Sequence, residues 1–428
     1  MGKMYKYDLT TLHNGLLVAS YTMPQANSVA LGIWVATGGR YENMRNRGIS
    51  HFVEHILFKG TKKRTAADIK NSIEGIGGVL NGFTSEEVTC YLAKVLARHI
   101  DLGVDVLSDM VLNARFNPRD VEKERFVILE EIKMYKDHPD QHVYELLGEL
   151  LWPRQTLGIP LIGTFDTIKS LKREDLVRYK EETYNPANIT IVACGNVKHP
   201  DFISACDKIF RKKKPLKRGS YEKMRLSQKS FKSNIFRKDT EQGHIAIGFH
   251  SISRKSPERY AMELLNIALG ANMSSRLFHE LREKRGLCYA ISSHVRYYAD
   301  GGVVTIEAGV DNKNIAKVVE LILKELAKLR KEPITKKEFN RSVEYYQGHL
   351  AFLVEDTTDH MLWLGEKIVT KDAPIDIDRV SDNIKKVKLE DTLKIASDTF
   401  RRENLNFAVV GQAGKLDGRA INGIAKGF

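Results

Sequence analysis

The segment His51-Phe52-Val53-Glu54-His55 constrains this chain more than any other feature, because it reads His-x-x-Glu-His. On a helix the two histidines lie one turn apart on one face, with Glu54 beside them. Two imidazoles in this arrangement can bind one metal ion, and a neighbouring carboxylate can act as a general base toward water. A histidine pair with this spacing can also be an ordinary polar helix face, so the motif alone is a hypothesis. Ser50 is predicted to be the N-cap of the helix.

The length and charge of the chain favour a multidomain globular protein. It has 428 residues, which predicts two or more domains. The net charge is +13, but residues 211–238 hold twelve Lys/Arg and a single acid, Glu222. A basic run confined to one stretch is more typical of a solvated linker than of a nucleic-acid surface. No zinc-finger spacing, RNA-recognition signature or phosphate loop accompanies it, so no nucleic-acid partner is expected.

Cysteine usage and hydropathy indicate the compartment. The cysteines are scattered without a Cys-x-x-Cys pair, and they are Cys90, Cys194, Cys206 and Cys288. This pattern suits a reducing environment and argues against a disulfide framework or a thiolate zinc site. No apolar signal region and no run of eighteen apolar residues occur, so a cytoplasmic protein without a membrane partner is expected.

The chain contains an internal repeat. Residues 166–195 match residues 382–411, at an offset of 216, with nine identities in thirty positions and no gap. Two copies of one α/β unit of about 200 residues are therefore predicted. At this offset His51, Glu54 and His55 fall near positions 267, 270 and 271, which are Ile, Gly and Ala. Only the first copy retains the candidate metal site.

The repeat predicts the domain organisation and the fold class. Residues 1–210 are expected to form a domain that carries the metal site, residues 211–238 a basic linker, and residues 239–428 a second domain without metal ligands. The predicted fold is α+β, with two homologous α/β sandwiches, each a mixed and largely antiparallel sheet with helices packed on it.

The segment Gly48–Thr61, which reads GISHFVEHILFKGT, resembles the signature of the M16 (inverzincin) metallopeptidases over its full width. The resemblance covers nearly the whole chain. It is strongest to the short members, which include bacterial processing proteases and the catalytic subunit of the mitochondrial processing peptidase. It implies a third zinc ligand 76 residues after His55, at Glu131, and a supporting glutamate seven residues earlier, at Glu124. Without the resemblance, Glu131 is more simply a surface glutamate.

Two further segments are similar to family elements. Arg282 and Tyr289 match a pair that the family uses to act on the substrate carbonyl; the alternative is a helix-capping arginine and a core tyrosine. Asn81, Gly82 and Phe83 match an edge strand beside the zinc, onto which substrate adds as an extra strand. The family usually has alanine where this chain has Gly82, and this leaves the stiffness of the strand open.

The resemblance implies a zinc endopeptidase that cleaves unfolded or extended peptides. One Zn²⁺ per chain would be held by His51, His55 and Glu131, with Glu54 as general base and Arg282 and Tyr289 stabilising the oxyanion. The short members work as clamshell-like dimers around a chamber, so a homodimer is expected. The alternatives are a noncatalytic scaffold subunit of the same fold and, from a different class, a nucleic-acid-binding protein that uses residues 211–238.

Overall fold

The computed structural model describes residues 7–373, 376–414, 418–426 and 428. The strands are β1 Asp8–Thr11, β2 Leu17–Thr22, β3 Ser28–Val35, β4 Val79–Thr84, β5 Thr89–Leu96, β6 Ile189–Gly195, β7 Lys232–Arg237, β8 Gln242–Ser251, β9 Cys288–Tyr297, β10 Gly302–Asp311 and β11 Asn406–Gly411.

The helices follow the same chain order. They are α1 Ile49–Leu57, α2 Ala66–Glu74, α3 Ile100–Asn113, α4 Pro118–Asp137, α5 Pro139–Leu151, α6 Phe165–Ser170, α7 Arg173–Thr183, α8 His199–Phe210, α9 Arg259–Leu269, α10 Ile315–Lys331, α11 Lys336–Leu353, α12 Thr357–Val369, α13 Ile377–Lys386, α14 Leu389–Thr399 and α15 Gly418–Ala425. Among the described helices, none combines the length and the apolar character that crossing a bilayer requires.

The first compact unit is built on a sheet with the strand order β1-β2-β6-β3-β5-β4. The β2–β6 pair is parallel and every other pair is antiparallel. Strand β4 therefore lies at an edge of the sheet. The unit comprises Met1–Ile132, Pro160–Glu222 and Leu350–Arg379, within the described residues. Helix α12 packs on this sheet against β3 and β6. Trp34, Met361 and Leu364 belong to the hydrophobic core cluster at this contact.

The second compact unit is built on a sheet with the strand order β7-β11-β8-β10-β9. Here the β7–β11 pair is parallel and the other pairs are antiparallel. The unit comprises Lys133–Ile159, Lys223–His349 and Val380–Phe428, within the described residues. Helix α5 covers β8 and β11, with Leu147 and Leu151 in a core cluster with Ala246 and Val410.

Corresponding strands of the repeat occupy the same positions in the two sheets. Strands β2, β6, β3, β5 and β4 of the first sheet match β7, β11, β8, β10 and β9 of the second, and both orders end on an edge strand. This confirms the predicted fold class of two α/β units with mixed, largely antiparallel sheets. Assembly into a dimer stays a prediction.

The compact units do not coincide with the predicted boundaries at 1–210 and 239–428. Helix α5 belongs to the unit of the second sheet, and α12 to the unit of the first. These two helices lie at matching positions in the repeat, so each half of the chain supplies a covering helix to the other half's sheet. The physical reason is packing, because each apolar sheet face must be covered. The predicted linker also differs, since its residues 232–237 form β7.

Candidate zinc centre

Helix α1 carries the His-x-x-Glu-His segment, and its start differs from the prediction. Ser50 is not the N-cap; Gly48 is, with a φ of 82° in the left-handed region. The buried Glu42 carboxylate instead accepts hydrogen bonds from the backbone N–H of Gly48 (2.9 Å) and of Ser50 (2.8 Å). The Ser50 hydroxyl is 2.7 Å from the Tyr179 hydroxyl. A carboxylate from the preceding loop therefore replaces the local side-chain cap that the sequence suggested.

Glu131, the predicted third ligand, lies close to both histidines. The Glu131 Oε2 atom lies 4.0 Å from His51 Nε2 and 3.8 Å from His55 Nε2. In a tetrahedral site with ligand bonds of about 2.0–2.2 Å, ligand atoms are about 3.4 Å apart. Both Glu131–histidine separations are therefore within about 0.6 Å of the ligand spacing in such a site. Two imidazole nitrogens and a carboxylate oxygen fit zinc and leave one coordination position for water or substrate.

Helix α4 presents Glu124 to the second histidine. Glu124 Oε2 lies 3.2 Å from His55 Nδ1, and Lys59 Nζ lies 2.7 Å from Glu124 Oε1. Glu124 is buried, which raises its pKa, but its hydrogen bonds to His55 and Lys59 outweigh burial and the net pKa is lowered. An ionised Glu124 favours a proton on His55 Nδ1, so that the Nε2 lone pair faces Glu131.

The two histidines differ in electrostatics. Burial lowers the pKa of His51 to about 3, and the neighbouring His55 acts in the same direction. Burial also lowers the pKa of His55, but the Glu124 hydrogen bond and the charges of Glu54 and Glu131 outweigh it, so the net pKa is raised. His51 is therefore a neutral imidazole at physiological pH. Its Nδ1 atom is buried and has no hydrogen-bond partner among the described residues.

Glu54 lies within the same cluster. Ligand-type atoms of His51, Glu54 and His55 all lie within 4.8 Å of one another. The residue is only 9 % exposed. Burial raises the pKa of Glu54; the charge of Glu131 adds to this rise and His55 opposes it. A carboxylate whose proton affinity is raised in this way suits a general base.

The predicted edge strand is present as β4, next to α1. The Asn81 side chain is exposed and its Oδ1 accepts a hydrogen bond from the Gly82 N–H at 2.8 Å. Phe83 is half-buried and packs edge-on against Trp34, with ring centroids 5.6 Å apart. Because β4 has a neighbour on one side only among the described strands, its other side is available for main-chain pairing.

Arg282 and Tyr289 lie together in the second unit. Arg282 belongs to a π-helical turn, Phe278–Glu283, and Tyr289 lies at the start of β9. The Arg282 guanidinium carbon is 5.3 Å from the centroid of the Tyr289 ring. Tyr289 is 76 % exposed, so the alternative that it packs in the core is wrong. A half-buried cation beside an exposed phenol can donate hydrogen bonds to a developing negative charge.

Sequence reasoning missed Glu42, Tyr179 and Lys59. Glu42 and Tyr179 reach α1 only through the tertiary fold, and no local spacing relates Tyr179 to Ser50. Lys59 follows α1, yet its partner Glu124 is on α4, sixty-five residues later. No signal within a single sequence identifies such contacts.

The fold and the donor set define a class: an α+β protein of two repeated units, one of which carries a cluster of histidines and glutamates that fits a metal ion. Comparison with known proteins makes this specific. Residues 17–165 match the family model described as Insulinase (Peptidase family M16), and residues 170–346 match the model described as Peptidase M16 inactive domain. The chain belongs to the M16 peptidase family.

Its relatives carry names of the same kind. The chain is 35% identical over 412 residues to the uncharacterized zinc protease YmxG of Bacillus subtilis, which covers 95% of this chain and 98% of the relative. It is 34% identical over 408 residues to an uncharacterized zinc protease of Streptomyces coelicolor, covering 94% and 89%. A protease from Helicobacter pylori shares the fold, with a TM-score of 0.89, 23% identity and coverage of 96% of this chain and 100% of that chain.

Proposed function

We propose that this chain is a zinc-dependent endopeptidase that cleaves unfolded or extended peptides. The observation that carries the proposal is the approach of Glu131 Oε2 to the Nε2 atoms of both His51 and His55, with Glu54 beside them. Those three side chains would hold one Zn²⁺ per chain. Zinc, when bound, polarises the scissile carbonyl and acidifies water at its open position.

Glu54 moves the proton in this mechanism. Its carboxylate accepts a proton from the attacking water as that water adds to the scissile carbonyl. The same carboxyl group then gives the proton to the nitrogen of the leaving amine. Because burial raises the pKa of Glu54, the protonated form is accessible between these steps. Glu124 holds the His55 tautomer throughout, through the 3.2 Å contact with Nδ1.

The remaining site residues bind the peptide and stabilise charge. An extended substrate would pair with the free side of β4, with Asn81, Gly82 and Phe83 along its path. Arg282 and Tyr289 would donate to the oxyanion of the tetrahedral intermediate. Strand addition requires a free backbone, which restricts substrates to unfolded or extended chains. We further propose a cytoplasmic homodimer that encloses its substrate in a chamber and has no nucleic-acid partner.

The test is hydrolysis of a quenched fluorescent peptide of about twenty residues by the wild type and by Glu54→Gln, with zinc content measured for both. Cleavage by the wild type alone, with equal zinc in both proteins, is the expected outcome. If neither protein cuts although both carry zinc, the function as a peptidase of this chain alone is wrong, and a noncatalytic scaffold or an obligate partner chain replaces it.

A further inference from the structure

The N-terminal turn of α1 is held by a carboxylate that is not part of the helix. Each Glu42 carboxylate oxygen accepts one hydrogen bond: Oε2 accepts from the Gly48 N–H, and Oε1 accepts from the Ser50 N–H. Both N–H groups belong to the helix start, where no intrahelical acceptor exists. A bidentate acceptor fixes the helix against sliding along its axis and against rotation, which a single hydrogen bond does not.

A second tether acts on the same turn from another direction. The Ser50 hydroxyl lies 2.7 Å from the Tyr179 hydroxyl on α7, which lies 2.8 Å from the Thr37 hydroxyl after β3. All three side chains are buried. The first turn of α1 is thus joined to the sheet and to α7 through hydroxyl groups, one residue before His51.

Gly48 completes the attachment. Its φ of 82° lies in the left-handed region, its N–H donates to Glu42, and a Cβ at this position would lie 2.5 Å from the Ile162 carbonyl oxygen and 2.9 Å from Gly163 Cα. The backbone before α1 therefore lies directly against residues 162–163, which leaves it no space to shift. The helix start is constrained on three sides.

We propose that Glu42 is a positioning residue of the metal centre, whose two hydrogen bonds set the depth and rotation of α1 so that the His51 and His55 imidazoles point at Glu131. The inference rests on the proposed function only in assigning zinc to this centre. Glu42 does not touch the metal-binding atoms. It acts through the helix, and misplacement of catalytic groups by about 1 Å is enough to cost about a hundredfold in rate.

General stabilisation of the fold does not account for Glu42. Its carboxylate is buried, and burial raises its pKa to about 7, against the opposing effect of the Ser50 and Gly48 hydrogen bonds and of Arg47. The ionised group is therefore held at an energetic cost at neutral pH. A neutral residue of the same shape would avoid that cost, yet it offers a single acceptor oxygen in place of two. The feature that only a carboxylate supplies here is the bidentate clamp.

The experiment compares Glu42→Gln with Glu74→Gln, a matched control at the exposed end of α2 in the same unit. Zinc affinity of the folded protein is measured by competition with a fluorescent chelator, alongside kcat and KM for the peptide. For Glu42→Gln we expect zinc to bind about tenfold more weakly and kcat to fall about tenfold, with KM within about twofold of the wild type. Glu74→Gln should match the wild type in all three.

A milder variant protects the test against misfolding. Tyr179→Phe keeps the ring but removes the hydroxyl that Ser50 contacts, so zinc affinity should fall by about threefold, and the double variant should lose more than either single variant. Unchanged zinc affinity in folded Glu42→Gln overturns the proposal, as does an equal drop in Glu74→Gln. Zinc affinity is measured without substrate. A wild type that binds zinc but cuts no peptide therefore disproves the proposed function, whereas the zinc affinity of Glu42→Gln still tests this inference.

Discussion

Helices α1 and α9 occupy corresponding places in the two units, but they differ in the side chains that they carry. Helix α1 packs against β4 and α7, and α9 packs against their counterparts β9 and α14. In α1 the positions that face the site are ionisable, whereas α9 is buried along its whole length by residues such as Leu264, Leu265 and Leu269. The repeat therefore supplies a place for a helix. A metal centre requires in addition that the helix carry ligand side chains, and at the positions of His51, Glu54 and His55 the second copy has Ile267, Gly270 and Ala271.

The largest predicted difference comes from alanine at matched positions of the two helices. His51→Ala should remove zinc and reduce peptide cleavage below detection, because one of three ligands is lost. Its free energy of unfolding without metal should change little, since the buried His51 Nδ1 makes no hydrogen bond with a described residue. Ile267→Ala in α9 should leave zinc content unchanged and lower the free energy of unfolding by about 2–5 kcal/mol.

Metal analysis and urea denaturation of the two variants check this prediction. A stoichiometric zinc content in His51→Ala, or zinc loss in Ile267→Ala, would contradict the assignment of metal binding to α1 and of core packing to α9.

The starts of the same two helices should respond differently to pH. The folded-state pKa of Glu42 is raised by burial to about 7 from an ordinary 4.5. Its contribution to stability is therefore complete below pH 4.5 and is lost as pH rises through 7. The unfolding free energy of the wild type relative to Glu42→Gln should fall by about 3 kcal/mol across this window.

The start of α9 provides the control. Glu258 precedes α9, makes no side-chain cap and pairs with the exposed Lys394 at 2.7 Å. Glu258→Gln therefore removes an exposed ion pair and no buried carboxylate. Denaturant titrations at pH 4.5, 6 and 8 give both differences, and parallel curves for wild type and Glu42→Gln would contradict the assigned burial effect.

Removal of the carboxylate that supports His55 should have a smaller effect. Glu124→Gln keeps its shape but loses the charge that favours the His55 Nδ1 proton and pairs with Lys59. Zinc affinity should fall by about 10–100-fold. The control is Glu122→Gln on the same helix, because Glu122 is 68% exposed and pairs with Arg125 instead. Chelator competition measures both, and equal affinities would show that Glu124 does not orient the histidine.

The sequence predicted what depends on local spacing. It predicted that the His-x-x-Glu-His segment is helical and that the chain holds two copies of one α/β unit, because periodicity and repetition can be read from the sequence itself. The relation of Glu131 to His55 came from the family resemblance rather than from spacing alone. What failed was decided by packing at long range: the Glu42 cap in place of Ser50, and the exchange of α5 and α12 between the two sheets.

The smallest predicted effect is a difference in stability between alanine substitutions at two glycines, Gly82 on β4 and Gly348 on α11. A Cβ on Gly82 would meet the Phe58 ring at 3.0 Å, whereas a Cβ on Gly348 in α11 would meet nothing within 4 Å. Alanine restricts the unfolded chain in both cases, which stabilises a protein by about 0.4–1 kcal/mol where the space is free. Gly348→Ala should show that gain. Gly82→Ala should show none, because the Phe58 ring must shift to admit the methyl group, while kcat/KM stays within about threefold since the free main-chain side of β4 is unchanged. An equal gain in both variants would mean that Phe58 yields without cost and that β4 accepts alanine, as the family pattern implies.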